Sequence, residues 1–144
     1  MGDLDVIRFG DRTKSVTVVL DNPAGGGRHR GWHDAEIVVR SGFVDASLPL
    51  HFTDADLAAL ARYLDARAAA EEGNARPDGS SFDWPEAGRT ACLRLIAGDP
   101  YVVEVRDPVQ SGVTVVVPLL PRDGWAERAA TRLGRLRAEL TEGH

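Results

Sequence analysis

Two stretches of this chain, 69 residues apart, share one pattern: an alternating apolar strand that ends in Pro-Leu and turns into a helix. Phe43 to Leu50 lies over Gly112 to Leu119, so that Val44, Ala46, Leu48, Pro49 and Leu50 match Val113, Val115, Val117, Pro118 and Leu119. Asp54, Leu60 and Leu64 then match Asp123, Ala129 and Leu133. Alternation with a period of two sends successive side chains to opposite faces of a strand. Proline cannot donate to a ladder, which confines that strand end to an edge or to an exit from the sheet. Any fold for this chain must therefore accommodate two strand-to-helix corners, within Ala35 to Ala70 and Tyr101 to Leu140. Internal duplication and convergence on a common apolar alternation both account for the likeness. Both predict the same local structure.

The intervening sequence supplies further strands. Asp5 to Phe9 and Ser15 to Leu20 predict a hairpin about Gly10-Asp11, with Val16, Val18 and Leu20 on one face. Ala35 to Arg40 and Phe43 to Leu50 predict a second hairpin around Ser41-Gly42. Thr53 is placed to cap a helix from Asp54, and Asp56 three residues on completes a capping box with Asp in place of Glu. Leu57, Leu60, Ala61, Leu64 and Ala68 make its apolar stripe. Residues 71–80, with Gly73, Pro77 and Gly79, predict a polar linker. A short strand over Ser81 to Trp84, a hairpin of Thr90 to Ala97 with Tyr101 to Arg106, and a strand over Val113 to Leu119 follow. Trp125, Ala129, Leu133, Leu136 and Leu140 recur at helical spacing and close the chain with a second helix. This order predicts an α+β fold with a mostly antiparallel sheet, as one curved sheet or a two-sheet sandwich, and two helices covering apolar faces. The 144 residues are expected to form a single domain with halves at 1–70 and 81–144.

Composition excludes several chemistries. The formal net charge of −5 opposes general nucleic-acid binding, which needs a basic surface to neutralise phosphates. No run approaches the ~20 apolar residues of a membrane-spanning helix, and the acidic amino terminus lacks the basic and apolar regions of a signal peptide; a cytoplasmic location is expected. Cys92 is the one cysteine, which rules out an intrachain disulfide or a cysteine-based zinc cage, and its apolar neighbours predict a buried side chain. Lys14 is the only lysine, so arginine carries nearly all positive charge, a bias expected of a GC-rich genome.

Catalytic signatures are missing. His29, His33, His51 and His144 lack metal-ligand spacing, no serine sits in a Gly-x-Ser-x-Gly elbow, and the glycines of residues 21–32 lead into a strand and not into the helix that a phosphate-binding loop requires. No catalytic residue, metal site or cofactor is predicted. Two clusters remain as candidate binding residues. Arg28, His29, Arg30, Trp32 and His33 could meet an anion through guanidinium groups or offer imidazoles to a metal. Arg128, Arg132 and Arg135 lie along one flank of the last helix and fit either a solvated face or an acidic partner surface.

Ala35 to Val44 (AEIVVRSGFV), Asp56-Leu57, Val113 to Leu119 (VTVVVPL) and Asp123 to Trp125 (DGW) resemble a family of short actinobacterial proteins known as a domain of unknown function. The likeness covers almost the whole chain and implies a bacterial protein, with no reaction or catalytic residue to carry over. At the level of build, the chain is also similar to small bacterial immunity proteins. The expectation is a noncatalytic protein-protein interaction module, an immunity or accessory protein. The alternative is a small-ligand or metal-binding protein, or an enzyme, using the Arg28 to His33 loop.

Overall fold

The computed structural model describes residues 5–21, 31–73, 79–85 and 91–142. It shows an α+β fold of two antiparallel sheets and two helices. Strands β1 (Asp5–Gly10), β2 (Ser15–Leu20), β3 (Trp32–Arg40) and β4 (Asp45–Thr53) form one meander, followed by helix α1 (Asp54–Glu72). Strands β5 (Ser81–Trp84), β6 (Cys92–Ile96), β7 (Tyr101–Arg106) and β8 (Thr114–Leu119) form the second, followed by helix α2 (Trp125–Glu142). The choice between one curved sheet and two sheets falls to two.

Local chemistry explains most element boundaries. In β2 the alternation is obeyed: Val16, Val18 and Leu20 are buried, while Ser15, Thr17 and Val19 are partly exposed. β3 begins three residues before its alternating run, because pairing with β4 continues as far as Trp32 opposite Thr53. β4 begins at Asp45 and not at Phe43. The Ser41 hydroxyl accepts from the Val44 amide at 2.6 Å, and Gly42 takes φ +82°, so residues 41–44 are committed to a turn. The capping box forms with Asp56 in the acidic role: the Asp56 amide donates to Thr53 Oγ1 at 3.1 Å, and the Thr53 amide donates to Asp56 Oδ2 at 2.9 Å. α1 continues to Glu72, two residues into the expected linker.

Each half runs as a four-strand meander followed by a helix, and the two differ in register. Leu50 and Leu119 are both buried, as are Leu64 and Leu133, at the spacing of 69. Opposite Leu50 stands Ala35, however, whereas opposite Leu119 stands Tyr101, a spacing of 66. The β3–β4 turn takes residues 41–44 and the β7–β8 turn residues 107–113, so three extra residues are absorbed there. Ile37 and Val39 then correspond to Val103 and Val105, all four buried.

Each helix packs on the first strand of the other half. Trp84 of β5 donates from Nε1 to the Asp56 carbonyl oxygen at 2.6 Å, in the first turn of α1. The Tyr63 ring of α1 stacks on Phe82 of β5 with centroids 4.6 Å apart and planes 5° from parallel, and the Tyr63 hydroxyl is hydrogen-bonded to that of Tyr101. Reciprocally, α2 lies against β1: the Trp125 and Phe9 ring centroids are 5.8 Å apart, and Arg132 approaches Asp5 at 3.7 Å. The two helices also touch each other. One apolar cluster results, running from Val6 through Leu64 and Trp84 to Leu136. Each fully buried leucine in it contributes roughly 1.5–3 kcal/mol relative to exposure.

Candidate functional site

The crossing of α2 over β1 builds a cavity. Among the described residues β1 pairs only with β2 and is an edge of its sheet. The following turn is fixed by Asp11, whose Oδ1 accepts from the amides of Thr13 at 2.8 Å and Lys14 at 2.9 Å. Its Oδ2 accepts from the amide of Leu120 at 3.1 Å, which ties the β1–β2 turn to the segment leading into α2. Burial pushes the Asp11 carboxyl up, but the Thr13, Leu120 and Lys14 backbone donors overcome it and hold the group down at about 2. α2 then starts at a tight corner. Gly124 takes φ +78°, the Arg128 amide donates to its carbonyl oxygen at 3.1 Å, and Arg128 Nη1 donates to the Asp123 carbonyl oxygen at 2.9 Å.

Between these elements lies a groove of about 530 Å³ lined by β1, the β1–β2 turn, the segment before α2 and the first turns of α2. Phe9, Tyr101 and Trp125 form its aromatic wall. Tyr101 and Trp125 meet edge-on with centroids 5.0 Å apart, and Phe9 stacks against Tyr101 at 6.2 Å. Burial, followed by the neighbouring Tyr63, drives the Tyr101 hydroxyl well above the usual phenol range, so it is a neutral wall component. Among the described residues, Arg8, Arg12, Arg122, Arg128 and Arg132 line the same groove. Among the described residues no carboxylate lies within ion-pair distance of Arg8, Arg12 or Arg122; Asp5 partly offsets Arg132 at 3.7 Å, and the Asp11 carboxylate is engaged by backbone amides. The groove is thus a cationic island on a chain of net charge −5. Among the described residues it brings together no acid–base or nucleophile–base pair, and its geometry suits capture of an anion by several forked donors.

A second cavity, about 640 Å³, shares the Leu119 to Arg122 wall and Trp125. Its charges are mixed, with Arg67 and Arg122 facing Glu71, Asp99 and Asp123. Burial pushes the Glu71 carboxyl up, with Arg67 opposing and Asp123 adding to the effect.

The predicted candidates separate. Arg128 and Arg132 enter the cationic groove, while Arg135 is exposed and does not line it. Arg28, His29 and Arg30 lie outside the described residues. Trp32 and His33 begin β3, two strands away from β1. Trp32 is exposed, and His33 Nε2 is 2.7 Å from Asp54 Oδ1 with its ring 5.3 Å from that of Phe52. His51 is likewise held by Asp34, directly opposite in the ladder, at 2.7 Å. Cys92 is buried, and burial raises its thiol above the ordinary range. Sequence reasoning missed Arg8, Arg12 and Arg122, which join Arg128 and Arg132 only through the packing of α2 on β1. A tally of arginines flanking apolar β1 residues would have been the one available signal.

Among the described residues no group of three or more His, Cys, Asp or Glu side chains is placed to hold a metal, and no helix is long and apolar enough to cross a membrane. No curated protein and no solved structure matches the chain. The model of one family, DUF5959, a family of unknown function, matches residues 4–141, and the chain belongs to that family.

Proposed function

We propose that this protein is a noncatalytic binding module that captures an acidic segment of a partner protein in the groove between β1 and α2. The carrying observation is the convergence of Arg8, Arg12, Arg122, Arg128 and Arg132 on one cavity of an otherwise acidic chain. Opposed charges steer encounter and select partners even where their net contribution to affinity is modest. The immunity or accessory role in a bacterial cytoplasm belongs to this reading. The proposal also takes residues 1–144 as one folding unit, supported by the shared apolar cluster and the reciprocal helix packing.

The test is fluorescence anisotropy of a labelled polyglutamate peptide titrated with the full chain. Binding is expected to weaken at least tenfold between low and moderate salt and to vanish in the double variant Arg128→Glu/Arg132→Glu, whose positions are exposed and leave the core intact. Undiminished binding by that variant would remove the groove from consideration.

A further inference from the structure

The residues that line the groove say how an occupant would lie in it. Val6, Ile7, Arg8, Phe9 and Gly10 all contribute, consecutively. Side chains of a strand alternate between faces. A cavity lying against one face would meet every second residue, so a cavity bounded by five in succession opens on the strand's hydrogen-bonding edge. Phe9 belongs to the buried face, opposite Val16, and Arg8 to the outer face, opposite Thr17, and both line the same space. Since, among the described residues, β1 has a strand neighbour, β2, on one side only, about half of its backbone N–H and C=O groups point into that space. Among the described residues no backbone hydrogen bond joins residues 5–10 to α2 or to residues 120–124.

An unpaired strand edge in a walled groove is a template for another strand. From these features, together with the arginines, we infer that the acidic partner segment adds to the first sheet as a fifth strand along β1, a mode that rests on the groove being the binding site. Main-chain bonds to β1 supply the register. Side chains on one face of the added strand meet Arg8 and Arg12, and those on the other face the aromatic wall between Arg128 and Arg132. Residues 6–10 offer an edge matched by a segment of about five to seven residues at roughly 3.4 Å each. Two features keep this edge from pairing indiscriminately: the irregular register between Asp5 and Ile7, and the positive charge alongside, which repels a second copy of the same edge.

The experiment uses the full chain and three synthetic heptapeptides: alternating Glu and Val, and two versions N-methylated at either the odd or the even amides. Backbone amide signals of Val6 to Gly10 and Trp125 fluorescence report binding. The unmodified peptide is expected to bind and to slow hydrogen exchange at alternate β1 amides, and one methylated version, but not the other, is expected to bind at least tenfold more weakly. Equal binding by all three peptides, with unchanged exchange in β1, would overturn strand addition while leaving arginine capture standing. Binding of the unmodified peptide that survives Arg128→Glu/Arg132→Glu would instead overturn the groove reading itself. If only inorganic phosphate perturbs the arginine side-chain signals, the groove holds a small anion and the strand proposal falls.

Discussion

Trp84 and Asp56, 28 residues apart, are joined by a 2.6 Å hydrogen bond from the indole Nε1 to the backbone carbonyl oxygen. It fastens the opening strand of the second sheet to the first turn of the helix that closes the first. Trp84→Phe keeps most of the apolar contact and removes the donor, so a loss of about 1 kcal/mol is expected by urea denaturation. Because this bond crosses between halves, circular dichroism and tryptophan fluorescence should still show one coincident transition. Two separated transitions would refute a single folding unit.

Thr53 and Asp56 satisfy one another's backbone amides at the start of α1. Thr53→Ala is expected to cost about 1 kcal/mol, within the range of lost N-caps. The double variant with Asp56→Ala should cost less than the sum of the single changes, since each one already breaks the box. Strict additivity in the denaturation midpoints would contradict the reciprocal geometry.

Leu64 and Leu133 occupy matching places in the two helices, and both are wholly buried. Alanine at either is expected to destabilise by roughly 2–5 kcal/mol. An unchanged melting temperature for either variant would contradict its placement in the shared core.

Asp11 is held ionised in the fold down to about pH 2, while an unfolded aspartate protonates near its ordinary value of about 3.9. Its contribution is therefore complete above pH 4 and is lost as pH falls from about 4 towards 2. Asp11→Asn should show a lower melting temperature at neutral pH and a shallower decline across that acid window. A parallel decline in variant and parent would place the acid sensitivity elsewhere.

Tyr101 behaves oppositely at the alkaline end. Burial and Tyr63 keep its hydroxyl protonated in the fold, so stability is full below the unfolded phenol value near pH 10 and falls as pH rises above it. Absorbance at 295 nm should show Tyr101 ionising only together with loss of the circular dichroism signal. A tyrosine component that titrates reversibly before unfolding and disappears in Tyr101→Phe would disprove this.

Much of the fold was legible because its cues are local. Val16, Val18 and Leu20 announce a half-buried strand by alternation alone, and Thr53 with Asp56 marks the start of α1 to the residue. The register of β7 against β8 was not legible. A spacing of 69 carries Leu50 onto Leu119, but it would carry buried Ala35 onto partly exposed Glu104, and only the longer turn restores the buried face. The site was half visible. Arg128 and Arg132 share a helix flank at four-residue spacing, whereas Arg8 and Arg12 reach them through packing between elements about 120 residues apart, a relation that neither helical nor strand periodicity encodes.

The reciprocal packing also imposes an order on biosynthesis. β1 leaves the ribosome well before α2, so the apolar face of Phe9 and the arginine side chains around it wait without their covering helix until the chain has reached residue 125 and beyond. A nascent chain stalled at α1 would display that face to chaperones or to its neighbours on a polysome. It would also lack the wall carrying Arg128 and Arg132, so that the groove itself is complete only once translation has passed α2.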